Sequence, residues 1–215
     1  FKKCIDSIIT NTDLTNVEVI IIANGCPTSI RSYMTSLSSP FKLIWFDEPL
    51  GATSALNEGI KIATGDIIVL LNHDVVLLDN RWLPMLMEPF KDSKVGLTGP
   101  IKSNTDDVNR NFIMLFCAAI RKEVFNDIGL LDMVFNPGGF EDIDFSIKAE
   151  NKGWKLIQVP DENPLDPGEV GMITTFPIFH LTHHKDWMTE ETMEKNKQII
   201  INRYTKKEYN EEYNE

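Results

Sequence analysis

Residues 51–74 read GATSALNEGIKIATGDIIVLLNHD, and this stretch decides the fold class. A helical pattern over 52–64 stops near Gly65, and the pattern over 66–72 then predicts a buried strand. The strand leads directly into a polar triplet, Asn72-His73-Asp74. Ligands of open α/β sheets bind outside the carboxyl ends of the parallel strands. The stretch therefore predicts an α/β protein with a site where this strand ends.

The same alternation of helices and strands continues on both sides of this stretch. The other predicted helices cover 2–12, 30–37, 79–92, 122–129, 141–152 and 190–204, and the other predicted strands cover 17–23, 41–48, 95–101, 111–120, 154–159 and 176–180. This order predicts a Rossmann-like, mostly parallel sheet flanked by helices. We expect a single domain over 1–204, followed by a charged tail over 205–215.

The composition excludes several functional classes. The net charge of -11, from 21 basic and 32 acidic residues, disfavours nucleic acid and lipid headgroups as partners. No apolar run approaches the roughly 20 residues that cross a bilayer. Three separated cysteines without a Cys-x-x-Cys pair predict buried thiols in a reducing compartment. The expected location is the cytoplasm, or the inner face of a membrane reached through partner proteins.

Three polar clusters are candidates for chemistry: NHD at 72–74, EDID at 141–144 and HLTHH at 180–184. Each has an ordinary explanation by itself. An aspartate after a strand often forms a turn or a helix cap, and acidic residues in a first helical turn favour the helix dipole. The histidines lack a second Cys/His cluster that would complete a structural zinc site. The occurrence of all three clusters in one chain favours a functional site.

Five segments, in order along the chain, resemble the family 2 glycosyltransferases of GT-A fold, which use nucleoside-diphosphate sugars. The segments are VEVIIIANGC after the opening helix, residues 51–74, RWLPML, CAAIRKEVFNDIGLLDMVF and GGFEDIDFSIKAENKGWKL. The similarity extends to about residue 204. It implies the GT-A fold and an inverting enzyme that moves a sugar from a UDP- or dTDP-type donor to a hydroxyl of a glycan or glycoconjugate in polysaccharide assembly.

The resemblance implies that Asp74, the last residue of the triplet, binds a divalent metal. Such an ion offsets the negative charge that grows on the leaving diphosphate. Asn72 replaces the first carboxylate of the family's Asp-x-Asp, and it could still bind the donor ribose or a metal-bound water. Mg²⁺ and Mn²⁺ accept oxygen ligands, and Mn²⁺ also accepts imidazole. We therefore expect Mn²⁺ or Mg²⁺, with His180 or His183 as a second ligand.

The EDID segment is similar to the family's acceptor site. By this resemblance Asp142 is the general base, Glu141 orients the acceptor and Asp144 supports the loop. Gly138 and Gly139 would let the backbone approach a ligand closely.

Asn24, Gly51 and Asn57 are candidate donor contacts, although the family commonly has carboxylates at the strand end where this chain has Asn24. The family's first strand would lie before Phe1, and without it we expect a damaged sheet centre.

Three alternatives stay open: a non-catalytic GT-A-like module that binds a sugar or nucleotide, a nucleotidyltransferase, and a zinc protein built on HLTHH. The oligomeric state stays open too.

Overall fold

The structure is a computed structural model that describes residues 1–160, 171–172, 175–181 and 189–205. The helices are α1 (Lys2–Asn11), α2 (Arg31–Ser36), α3 (Ala52–Ile62), α4 (Trp82–Met87), α5 (Lys122–Ile128), α6 (Glu141–Asn151) and α7 (Glu190–Tyr204). Short 3-10 helices cover Thr28–Ile30, Glu88–Lys91 and Met133–Phe135. The strands are β1 (Val19–Asn24), β2 (Phe41–Phe46), β3 (Ile67–Leu71), β4 (Val75–Leu77), β5 (Val95–Gly99), β6 (Lys102–Thr105), β7 (Arg110–Ile113), β8 (Cys117–Arg121), β9 (Lys155–Gln158), β10 (Gly171–Met172) and β11 (Ile178–His180).

The central sheet has the strand order β3-β8-β5-β9, and three smaller sheets surround it. β1 pairs with β2, β6 pairs with β7, and β4 pairs with β11, which pairs with β10. In the described part of the chain, β1 does not pair with β3, although the two strands carry the polar residues of the predicted site at their carboxyl ends.

The α/β class is confirmed, but the prediction of a mostly parallel sheet is wrong. Only the pairings of β1 with β2 and of β5 with β9 are parallel among the described strands. β8 lies between β3 and β5 and runs antiparallel to both. The sequence pattern predicted one strand over 111–120, whereas the chain forms β7, turns and returns as β8. A continuous apolar run shows that a strand is buried but does not show its direction.

Burial of β8 on both faces explains its apolar composition. Cys117 and Ala119 face one hydrophobic cluster with α1 and α4, while Ala118 and Ile120 face a second cluster with α3 and α5. Alternate residues of a strand point to opposite faces, so the central sheet separates the two clusters. All three cysteines are free thiols; Cys4 and Cys117 are buried as predicted, whereas Cys26 is only partly buried.

Helix α7 packs on α6 and the loop before it. Its Ile200 joins Phe112, Phe135, Ile143 and Ile147 in a third hydrophobic cluster. Within the described ranges, no helix combines the length and hydropathy needed to cross a membrane. The predicted tail lies outside the described residues, except for Thr205.

Candidate active site

Asp74 occupies the turn between β3 and β4, at the edge of the central sheet. The turn is closed by the Val75 amide, which donates to the Asn72 carbonyl at 3.2 Å. The backbone of Asp74 is fixed by Leu181, whose amide donates to the Asp74 carbonyl at 3.0 Å. The Asp74 side chain is only 6% exposed, and its Oδ1 is buried without a hydrogen-bond partner in the described part of the protein. A buried carboxylate oxygen without a partner is costly unless a ligand completes it.

His180 lies within ion-pair range of this oxygen. Antiparallel pairing of β11 with β4 places His180 opposite Val75, and its Nε2 lies 3.4 Å from Oδ1 of Asp74. The two atoms are in ion-pair range but are not aligned for a hydrogen bond. The imidazole stacks on Phe116, with ring centroids 4.2 Å apart and planes 3° apart. The stack fixes the plane of the imidazole, so Nε2 stays directed toward Asp74.

The Asp74 carboxylate is held in its charged form. Burial is the largest single influence and acts to raise its pKa. The contact with His180 and the nearby charge of His73 together outweigh burial, so the pKa of Asp74 lies below its ordinary value. An ionised carboxylate beside an imidazole nitrogen is a donor pair that suits a divalent transition metal.

Asp74 and His180 are two potential ligands for such a metal, and the described structure brings them within 3.4 Å of each other. No cluster of three or more potential ligands among His, Cys, Asp and Glu occurs within the ranges that the structure describes. His183, the other predicted histidine, lies outside the described residues. The placement of Asp74 and His180 is compatible with a metal whose remaining positions are filled by a bound substrate or water, and their roles as ligands stay predictions.

Asp142 and Glu141 begin helix α6 after a loop of unusual backbone conformation. Gly138, Gly139 and Phe140 have φ angles of 152°, 90° and 72°. Asp142 is half-buried, and its Oδ1 accepts a hydrogen bond of 2.9 Å from the Ile143 amide. Burial, followed by the negative charge of Glu141, raises the pKa of Asp142 to about 7. A carboxylate with a pKa near 7 can take up a proton at neutral pH.

Asp144 has a structural role between α6 and α7, and its predicted support of the loop stays a prediction. Its side chain is almost fully buried and accepts hydrogen bonds from Arg203 Nη1 at 2.8 Å and Tyr204 Oη at 2.7 Å. Lys148 Nζ lies 2.7 Å from the other carboxylate oxygen. The bonds from Arg203 and Tyr204 attach the end of α7 to α6. Two partly exposed cations and a phenol thus compensate the buried charge.

At the carboxyl end of β1, the side chain of Asn24 forms hydrogen bonds with the backbone around Gly51. Asn24 Oδ1 accepts from the Leu50 amide at 2.6 Å, and Asn24 Nδ2 donates to the Gly51 carbonyl at 3.2 Å. Gly51 has a φ of 90°, and a Cβ there would collide with the side chain of Asn136. Gly51 is therefore required for close packing against Asn136. The assignment of Asn24 and Gly51 as donor contacts stays a prediction.

Asn57 lies in α3, and its buried side-chain amide binds backbone groups through both its nitrogen and its oxygen. Its Nδ2 donates to the Leu131 carbonyl at 2.8 Å, and its Oδ1 accepts from the Leu131 amide at 3.0 Å. These bonds give Asn57 a structural role, and its placement does not support the predicted donor contact.

The side chain of Asn72, in contrast, lies half-buried beside Asp74 without hydrogen bonds to the described residues, so it remains able to bind a ligand.

Two asparagines that were not predicted organise the loop before α6. Asn136 Nδ2 donates to the Leu50 carbonyl at 2.8 Å, and its Oδ1 accepts from the Ser54 amide at 3.2 Å. Asn196 on α7 donates to the carbonyls of Gly138 and Gly139. The dipeptide Asn136-Pro137 is a turn signal in the sequence. Nothing in the local sequence around Asn196 indicates its distant partners.

Comparison with known proteins decides the family. The family model described as glycosyl transferase family 2 matches residues 1–116 of the 215. The chain belongs to glycosyl transferase family 2. The matched region includes Asp74 and ends before Asp142 and His180. The family that the sequence motifs indicated is therefore confirmed.

One curated relative and two solved structures extend this finding. The O-antigen biosynthesis protein RfbC of Myxococcus xanthus is 22% identical over 199 residues, covering 73% of this chain and 15% of that protein. The mannosyltransferase PcManGT of Pyrobaculum calidifontis, solved with GDP-Man and Mn²⁺, has a TM-score of 0.59 and 20% identity. GalNAc-T7, solved with UDP, GalNAc and Mn²⁺, has a TM-score of 0.71 and 16% identity.

The coverage of the solved structures shows the fold and its extent. The match covers 78% of this family 2 chain and 54% of PcManGT, and 93% of this chain and 44% of GalNAc-T7. This chain thus spans about half the length of these glycosyltransferases and a smaller part of the O-antigen relative. The likeness confirms the GT-A fold.

Proposed function

We propose that this family 2 chain carries the catalytic site of a metal-dependent, inverting glycosyltransferase. The observation that carries the proposal is the buried, unpartnered Oδ1 of Asp74 beside Nε2 of His180. Asp74 of this pair follows the carboxyl end of β3, and His180 is the last residue of β11. Both solved glycosyltransferases of the same fold contain Mn²⁺, which supports Mn²⁺ or Mg²⁺ as the ion.

The proposed site divides the work between two groups of side chains. Asp74 and His180 would hold the ion, which supplies a Lewis acid for the diphosphate oxygens of the donor. The half-buried carboxamide of Asn72, two residues before Asp74, would bind the donor ribose or a metal-bound water. Phe116 keeps the imidazole oriented through the ring stack. These groups would bind and orient the donor.

Asp142 supplies the proposed general base. Its ionised carboxylate would take the proton from an acceptor hydroxyl, whose oxygen forms a bond to the anomeric carbon of the donor sugar. The bond from that carbon to the diphosphate oxygen breaks, and the nucleoside diphosphate leaves with the bonding electrons. A direct displacement of this kind inverts the configuration at the anomeric carbon. Glu141 would orient the acceptor beside Asp142.

The donor and acceptor classes follow from the predicted family pattern and from the relatives. A UDP- or dTDP-type sugar is the proposed donor, and UDP is present in the GalNAc-T7 structure. A glycan or glycoconjugate hydroxyl is the proposed acceptor, in line with the O-antigen relative.

A nucleotide-sugar screen tests this proposal. The purified chain would be incubated with UDP-glucose, UDP-N-acetylgalactosamine, a dTDP-sugar or GDP-mannose, with Mn²⁺ or with EDTA. We expect release of nucleoside diphosphate from at least one donor in Mn²⁺ only, and a transfer product of inverted anomeric configuration in NMR. Absence of both release and Mn²⁺-dependent UDP or GDP binding in calorimetry would reject the proposal.

A non-catalytic module that binds a nucleotide sugar is the second candidate. The incomplete set of potential metal ligands favours it, because Asn72 replaces the first carboxylate of the Asp-x-Asp pattern and no cluster of three potential ligands occurs in the described residues. Calorimetry and the screen distinguish the two candidates. A binding module would bind UDP with Mn²⁺ without releasing nucleoside diphosphate from any donor.

The raised pKa of Asp142 predicts the pH dependence of transfer. A base must be ionised, so kcat/KM, which reports the pKa of the free protein, is expected to fall as pH decreases through about 7. Glu141→Gln removes a negative neighbour that raises the pKa of Asp142, and should move this acid limb to lower pH. Rate measurements from about pH 5 to about pH 9 test the shift. An acid limb at the same pH in both proteins would show that Glu141 does not set the pKa of the base.

A further inference from the structure

Helix α7 contacts the loop before Asp142 through one buried carboxamide. Asn196 is 2% exposed, and its Nδ2 donates to the Gly138 carbonyl at 3.2 Å and to the Gly139 carbonyl at 2.9 Å. Both hydrogens of the amide are thus used on two consecutive carbonyls. Met193, one turn earlier on α7, lies so close that a Cβ on Gly139 would be 3.0 Å from its Sδ. The helix therefore sets the position of this loop.

The loop needs such an external support because of its backbone conformation. Gly138, Gly139 and Phe140 all have positive φ angles, and Phe140 is one of only two non-glycine residues with positive φ in the described part of the chain. Successive residues in this region do not form the repeating hydrogen bonds of a helix or strand. The loop leads directly into Glu141 and Asp142. Contacts that position the backbone of residues 138–140 therefore also position the first turn of α6.

We infer that Asn196 is a positioning residue that holds Asp142 in place for proton transfer. The inference rests on the proposed function, because it presumes that Asp142 acts as the base. Asn196 acts through the backbone of Gly138 and Gly139 and does not itself touch the reacting groups. A base must lie within hydrogen-bond distance of the hydroxyl it deprotonates, and a misplacement of about 1 Å can lower the rate about a hundredfold.

Other contacts attach α7 to the protein, which makes the role of Asn196 separable. Arg203 Nη1 lies 2.8 Å from Asp144 and 2.9 Å from Asp132. Lys197 Nζ lies 3.0 Å from Asp107, on the side of α7 that faces the β6–β7 hairpin. Ile200 is buried in the hydrophobic cluster under the helix. Loss of the Asn196 amide should therefore loosen the loop while α7 stays docked.

The test compares Asn196→Ala and the isosteric Asn196→Asp with Lys197→Ala as a matched control on the same helix. Transfer would be measured with the nucleotide sugar that gives turnover in the screen, and donor binding by calorimetry with UDP and Mn²⁺. We expect kcat of both Asn196 variants to fall about tenfold to a hundredfold, while the Kd for UDP changes less than about twofold. Hydrogen exchange should accelerate at the amides of residues 138–143 but not in the middle of α7. Lys197→Ala should resemble the wild type in all three measurements.

Two outcomes overturn the inference in different ways. If the wild type is active and the Asn196 variants keep its kcat, or lose UDP binding in the same proportion as kcat, Asn196 does not position the base. If the wild type shows no turnover with any donor, the proposed function fails and the role of Asn196 fails with it. Hydrogen exchange guards against a trivial loss of activity, because a variant with faster exchange throughout α7 has lost the helix and not only the loop contact. If Asn196→Ala loses the helix in this way, the kcat and hydrogen exchange of Asn196→Asp, which preserves the side-chain volume, test the inference instead.

Discussion

Replacing Asp142 with asparagine is expected to abolish sugar transfer while donor binding stays close to that of the wild type. Removal of a general base typically lowers the rate by about a hundredfold to ten-thousandfold. The substitution preserves shape, and the new side-chain oxygen can still accept the hydrogen bond from the Ile143 amide. Asp142 lies on α6, whereas the proposed donor-binding groups lie on the β3–β4 turn and on β11. Transfer by a radiolabelled-sugar assay and UDP binding with Mn²⁺ by calorimetry measure the two effects.

Glu150→Gln is the matched control, because it removes a carboxylate from the other end of the same helix. Glu150 is 3.6 Å from Arg110 in a partly exposed ion pair, which contributes little to stability. We expect this variant to retain transfer. Turnover by Asp142→Asn at the wild-type rate would contradict the assignment of the base, and an equal loss in Glu150→Gln would show that charge on α6 matters in general.

The stability of Asp142→Asn distinguishes a lost base from a lost fold. The folded-state pKa of Asp142, about 7, lies above its ordinary value of 3.8. The folded protein therefore disfavours the ionised carboxylate, and this destabilisation grows as pH rises from about 4 to about 7. Asparagine carries no charge and removes it. The Tm of the variant should exceed that of the wild type by a few degrees at about pH 8, with a smaller difference at about pH 5.

The sequence predicted the fold where a local pattern is sufficient. Helices α1, α3 and α7 and strands β1 and β3 lie within about two residues of their predicted limits, because their apolar periods and end signals are complete. β4 was missed, because its three apolar residues follow Asp74 directly and lead into a predicted helix. The antiparallel direction of β8 was missed because direction depends on the path of the chain between strands.

The same distinction applies to the site. Asp74 and Asp142 could be predicted because each lies close to the end or the start of an element that the sequence pattern marks clearly. The bonds of Asn196 join residues that are 57 and 58 positions apart, and Asn136 binds Leu50, 86 positions away. Such contacts depend on tertiary packing, so no local sequence pattern indicates them. The internal bonds of Asn24 and Asn57 were hidden for the same reason.

Replacing Asp74 with asparagine should remove metal-dependent nucleotide binding. The charged carboxylate provides the buried Oδ1 that a cation would complete, and the neutral amide attracts a divalent ion much less. We expect Mn²⁺-dependent UDP binding to disappear in calorimetry and kcat/KM to fall at least about a hundredfold, because metal stabilisation of the leaving group is worth several kcal/mol. Asp79→Asn is the control, since Asp79 lies five residues later and pairs with Arg81 at the surface.

A histidine pair completes this test and addresses the alternative that the sequence left open. His180 is proposed as the second ligand because its Nε2 is 3.4 Å from Asp74 and its ring is fixed against Phe116. His180→Gln should therefore weaken Mn²⁺-dependent UDP binding, whereas His183→Gln should leave it unchanged. The reverse result would assign the ligand to His183. Unchanged binding in Asp74→Asn would reject the metal site at this edge of the sheet, because His180 alone gives a divalent ion one neutral ligand and no negative charge.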